Sequence, residues 1–119
     1  MKQVIIALGS DTRQSVHIQW ASQQLSCSLE NFRLSRRLWT QDIRGNGRMY
    51  MNQLAIGYTH LALDELELLL KQLERKAGRT RDHVNIDLDM MLFGSQRFHL
   101  KDWPRPYIQQ LLPDILCND

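Results

Sequence analysis

The chain has few of the residues that mark special environments. Its two cysteines, Cys27 and Cys117, stand far apart with no CxxC pair, which excludes a disulfide framework and a cysteine-built zinc site and leaves reduced thiols. Proline occurs three times, always after residue 103, so nothing ahead of that point forbids regular structure. An excess of one charge is also missing. A formal net charge of +2 with scattered basic residues gives no electrostatic ground for a nucleic-acid or membrane partner. No apolar run reaches membrane-spanning length, and the opening "VIIALG" is too short for a signal-peptide core and lacks a cleavage site. The expectation is a soluble, cytoplasmic protein without repeats or linkers. At 119 residues and 43% apolar content, residues 1–119 should form one domain with a true core.

What is present is a clear alternation of strands and helices. Residues 4–8 are continuously apolar and end at Gly9-Ser10-Asp11, which reads as a buried central strand stopped by a turn. Residues 13–27 have helical length but two partial stripes, Ile18/Ala21/Leu25 and Val16/Trp20/Cys27, so the buried face stays open. Phe32, Leu34 and Leu38 alternate with polar residues towards Trp39 and predict a half-buried strand, and "DIRGNGR" marks a loop. A strand follows over 49–58, then a helix from the spacing of Ala62, Leu66, Leu69, Leu73 and Ala77. Asp64 and Glu65 suit its first turn, and Gly78 its C-terminal cap. "NIDLDMMLFG" supplies the fourth strand, and residues 108–116 a short closing helix interrupted by Pro113. The order β-α-β-β-α-β predicts an α+β, ferredoxin-like antiparallel sheet with helices packed on one face.

The fourth strand carries two carboxylates in an apolar run. Asp87 and Asp89 point to one face, roughly 6.6 Å apart along the strand at ~3.3 Å rise per residue, while Ile86, Leu88, Met90 and Leu92 should face the core. Carboxylates so close resist ionising together unless solvent, a cation or a basic side chain offsets them. A pair of hard oxygen ligands suits Mg²⁺, which keeps several waters and binds substrate phosphates beside one or two carboxylates. The plain alternative is the solvated polar face of an edge strand. Upstream, "LERKAGRTR" places Arg79 and Arg81 in the connection to that strand, where guanidinium groups can reach phosphate oxygens. Taken singly, they are an ordinary basic helix terminus.

Taken in order, "IALGSD", "YMNQLAIGYT", "LERKAGRTR" and "DLDMMLFG" resemble the 6-hydroxymethyl-7,8-dihydropterin pyrophosphokinase family, which transfers pyrophosphate from ATP to a pterin alcohol in folate biosynthesis. The likeness covers most of the chain up to Gly94. It implies that Asp87 and Asp89 hold two Mg²⁺ ions on the ATP phosphates, that Arg79 and Arg81 lie in a loop closing over ATP, and that Glu74 and Lys71 stand near the nucleotide. Tyr50 and Asn52 match its pterin-contacting strand, and Thr40 and Ile43 the segment lining the pterin ring. A strand sets Tyr50 and Asn52 on one face, an aromatic wall beside an amide able to read the edge of a heterocycle. The implied partners are a pterin and ATP, with no nucleic acid or membrane, in a monomer or weak homodimer.

The departures are as specific. Asp11 replaces the family's Asn, the stretch 81–87 is several residues short, and Val84 stands where the family has an arginine. After Gly94 two alignments compete. In one, "WPRP" replaces a Pro-His motif, Arg105 takes the histidine's place as an ATP-binding residue, and His99 is a strand histidine; this one keeps the prolines. In the other, His99, Arg105 and Tyr107 reproduce the family's His, Arg and aromatic. The short stretch, Val84 and the compressed C-terminal segment support an alternative, a degenerate relative that binds pterin or nucleotide without transfer. An RNA-recognition domain has the same topology, but it needs aromatics exposed on central strands, and "MYMNQLAIGY" matches that poorly.

Overall fold

The computed structural model describes residues 1–42, 45 and 47–116. The elements run β1 (Lys2–Ser10), α1 (Gln14–Ser28), β2 (Glu30–Leu34), β3 (Leu38–Gln41), β4 (Met49–Thr59), α2 (Leu63–Ala77), β5 (Asp87–Phe93), β6 (Gln96–Arg97) and α3 (Pro106–Leu116). The sheet is ordered β2-β4-β1-β5-β6, with β3 also on β4, and every pairing is antiparallel. This is the expected ferredoxin-like α+β arrangement.

Strand β1 explains its own apolar run. Val4, Ile6 and Leu8 join α1 and α2 in one core, while Ile5 joins a second core on the other face with Leu54, Ile56, Met91 and α3. A strand buried on both sides has no polar positions to alternate with. In α1 the buried stripe is Ile18, Ala21 and Leu25; Val16 and Cys27 are exposed. In α2, Leu66, Leu70 and Leu73 are buried, the Glu65 carboxylate accepts the Ala62 N–H at 2.9 Å, and Gly78 closes the helix at φ +83°.

Four local expectations need correction. The single strand towards Trp39 is two, β2 and β3. Buried Ser35 interrupts it, because its hydroxyl accepts the Leu54 N–H at 2.8 Å and its carbonyl accepts from Gln53 at 2.7 Å. Arg36 then turns outward to Asp114 of α3, 2.9 Å away. Leu92 does not share a face with Leu88 and Met90. The pairings Ile6–Met90 and Ile5–Leu92 leave Met91 as the extra residue of a β-bulge, which puts Met91 and Leu92 together on the α3 side. Helices α1 and α2 share one face, but α3 covers the opposite one. Finally, α3 continues through Pro113, since Ile108, Leu111 and Ile115 stay buried around it and that burial outweighs one lost helical donor.

Candidate functional site

The α3-facing side of the three central strands changes character along its length. Ile5, Ala7 and Gly9 succeed one another on β1; opposite them stand Ile56, Leu54 and Asn52 on β4, and Leu92, Asp89 and Asp87 on β5. Side chains shrink along the middle strand while its neighbours turn polar. The result is a cavity of about 360 Å³ beyond the end of the α3 core. A Cβ on Gly9 would meet Asn52 Oδ1 and Tyr50 Cδ1 at 3.7 Å each, so the missing side chain keeps the floor open.

One end of the cavity is an amide and aromatic wall. Asn52 is buried and donates through Nδ2 to Thr40 Oγ1 at 2.8 Å and to the Leu38 carbonyl at 3.3 Å. Those bonds fix its rotamer and turn its oxygen towards Gly9. Tyr50, Gln41 and Asp42 complete this end. Ile43 lies outside the described residues.

The other end is ionic. Burial, then repulsion from Asp89, pushes Asp87 up to about 6, against the pull of Arg79, whose Nη2 lies 3.5 Å away. Asp89 is also raised, by burial first, with Glu74 and Asp102 adding repulsion and His99 opposing it. Arg105 donates through Nε to Asp102 at 2.7 Å, and burial, then Asp102, raises the Tyr107 phenol. This end is short of positive charge. Among the described residues no group of three or more His, Cys, Asp and Glu side chains forms a metal cage. Two under-compensated carboxylates with open space beside them fit Mg²⁺ brought in with a polyphosphate rather than a closed structural ion.

A second cavity, about 520 Å³, wraps round the edge of β5, lined by Leu68, Lys71, Met90, Phe98 and His99 among others and sharing Asp89 with the first. It exists because β6 pairs only with Leu92 and Phe93, leaving the start of β5 unpaired on that side. There Glu74 supplies a substitute: its Oε2 accepts the Leu88 N–H at 2.8 Å, while Oε1 meets Lys71 at 3.4 Å.

Most of the residues expected from the sequence converge. Thr40, Tyr50, Asn52, Arg79, Asp87, Asp89 and Arg105 all line the first cavity, and Lys71 the second. Glu74 stands between them with its carboxylate engaged by the β5 backbone. Arg81 is exposed and lines neither cavity. Val84 is buried at the rim. His99 needs correction: it is not in a strand, has φ +53°, and sets its ring 4.0 Å from both Asp89 and Asp102. Arg105 and Tyr107 line the first cavity and His99 the second, and Asp89 borders both. Asp102 had no sequence signal beyond its place in that segment. Trp103 is buried in the α3 core with Nε1 donating to the Phe98 carbonyl at 2.9 Å.

Fold and cavity together define a small ferredoxin-like α+β protein whose site joins a wall suited to a flat polar heterocycle to a pocket suited to an anion and its counter-cation. The chain belongs to the 7,8-dihydro-6-hydroxymethylpterin-pyrophosphokinase family, whose model matches residues 5–115. That family acts in folate biosynthesis and binds a pterin and ATP. No curated protein matches the chain. Among the described residues no helix is long and apolar enough to cross a membrane.

Proposed function

We propose that this chain transfers the pyrophosphoryl group of ATP to 6-hydroxymethyl-7,8-dihydropterin in a Mg²⁺-dependent reaction that releases AMP. The observation that carries the reading is the two-ended cavity, in which the Asn52–Thr40–Tyr50 wall faces Asp87 and Asp89 across Gly9. A pterin ring held at the wall directs its hydroxymethyl group towards the carboxylate end. The apolar walls of the second cavity suit a nucleotide base, and shared Asp89 then puts the phosphates between the two ligands.

In that arrangement the pterin oxygen bonds to the β-phosphorus, the bond from that phosphorus to the α-phosphate oxygen breaks, and the hydroxyl proton passes to water. Asp87 and Asp89 would hold Mg²⁺, which when bound would supply charge neutralisation for the transferred phosphates. Arg79 and Arg105 are held near the phosphates by Asp87 and Asp102, and incoming phosphate oxygens can take over those guanidinium bonds. His99 and Lys71 add donors at the nucleotide side. Catalysis is then chiefly positioning and electrostatics. The reading carries with it a single domain over 1–119, a cytoplasmic setting, and a monomer or weak homodimer. Phosphorus NMR of a reaction with ATP, Mg²⁺ and the pterin tests it: pterin pyrophosphate and AMP should grow together. ADP with orthophosphate, or bound ligands that never react, would instead favour a degenerate binding protein, for which the short 81–87 stretch is the supporting feature.

A further inference from the structure

One buried ionisable group takes no part in that chemistry. The side chain of Asp11, at the end of β1, is fully enclosed. Its Oδ1 accepts the Val84 N–H at 2.8 Å and lies 3.7 Å from His83 Nδ1; its Oδ2 lies 3.4 Å from Arg48 Nη1. The Asp11 N–H donates in turn to the Val84 carbonyl at 3.0 Å. Three segments distant in sequence therefore meet at one carboxylate.

Each of the two partner segments serves a different end of the cavity. The Arg48 carbonyl accepts the Asp42 N–H at 2.8 Å, and Asp42 lines the heterocycle end. Val84 forms an antiparallel bridge with Arg79, and both line the ionic end. A neutral acceptor at residue 11 would hold Val84 without needing a cation. A buried carboxylate does need one, because an uncompensated charge away from water is costly. Loss of Arg48 therefore favours withdrawal of the Asp11 carboxylate towards solvent, and withdrawal releases Val84.

We infer that Asp11 is a positioning residue that couples the two ends of the site, with Arg48 on the heterocycle side holding the Arg79–Val84 segment in place through the shared carboxylate. This extends the proposed function, and its first test is independent of it. Amide hydrogen exchange on the ligand-free protein is read at Val84. Arg48→Ala should raise the Val84 exchange rate about tenfold although that amide donates to Asp11 and not to Arg48. In an Asp11→Asn background the same Arg48→Ala change should alter it by less than about twofold, since the amide side chain keeps the Val84 bond but needs no cation. Equal effects of Arg48→Ala in both backgrounds, or none in either, would overturn the inference. A second arm uses a non-hydrolysable ATP analogue and the pterin in calorimetry. The analogue should tighten pterin binding at least about fivefold in the wild type and less than about twofold in Arg48→Ala, a coupling that a merely structural role would leave intact. Undiminished coupling in Arg48→Ala would overturn the functional part of the inference. If the wild type binds neither ligand, the proposed function falls while the exchange arm still decides whether Asp11 links the segments.

Discussion

The two ends of the α3-facing side of the sheet are built from the same three strands and do opposite things. At one end Ile5, Leu54, Ile56 and Met91 meet Ile108, Leu111 and Ile115 in a closed core. At the other, a few positions along the same strands, Gly9, Asn52, Asp87 and Asp89 leave space and strand charge in it. Helix α3 sets the boundary: where its buried stripe covers the sheet, burial stabilises; beyond its first turn, which gives Tyr107 to the cavity wall, the sheet spends stability on a site. Substitutions should sort accordingly, with core changes moving stability and cavity changes moving activity.

The largest separation is expected at the carboxylates. Asp87→Ala or Asp89→Ala should cut AMP formation roughly 10³-fold with no loss of melting temperature. At the core end, Leu111→Ala removes a fully buried side chain and should cost about 3 kcal/mol in denaturant unfolding, with kcat/KM nearly unchanged well below the transition. Gly9→Val sharpens the comparison from the floor of the cavity. Its methyl groups would enter the space between Asn52 and Tyr50, raising the pterin Kd about tenfold while ATP affinity holds, as titration of each ligand would show.

The smallest effect concerns stability against pH. Folded Asp87 titrates at about 6 against an ordinary 3.8, so the folded state binds its proton more tightly than the unfolded chain does. Stability from this group is therefore present below about pH 4, falls as pH rises to about 6, and stays reduced above. Asp87→Asn should be more stable than the wild type at pH 7 and lose that advantage by pH 4. With 35% of the side chain exposed, solvent screening reduces the gain to roughly 1 kcal/mol. Mg²⁺ affinity should weaken below about pH 6, where the proton competes for the same carboxylate.

Much of this was legible without coordinates, and for physical reasons. The spacing of Asp87 and Asp89 fixes a shared face on any strand, and the stripe Leu66, Leu69, Leu73 fixes a helix. Tyr50, Asn52 and Thr40 converge because β3 and β4 pair with Thr40 opposite Tyr50, which a two-residue repeat allows but does not dictate. What stayed hidden has no periodic signature. The bulge at Met91 sits in "DMMLF", where every register looks equally apolar. The break at Ser35 depends on a hydroxyl replacing a backbone partner across the sheet. His99 reaches Asp89 through a left-handed residue in an irregular segment pinned by Trp103, and no local pattern predicts that turn. Asp11 looked like a turn residue and became a buried junction because its partners come from 73 residues away at Val84 and 37 at Arg48.

The most direct test of the central claim is AMP formation by the purified protein with ATP, Mg²⁺ and 6-hydroxymethyl-7,8-dihydropterin, beside an Asp87→Ala/Asp89→Ala variant shown to be folded. AMP that appears only with the pterin and disappears in the variant is the result expected. No AMP from well-folded wild type, or equal AMP from the variant, would contradict the assignment of the ionic end of the cavity as the place where pyrophosphate is transferred.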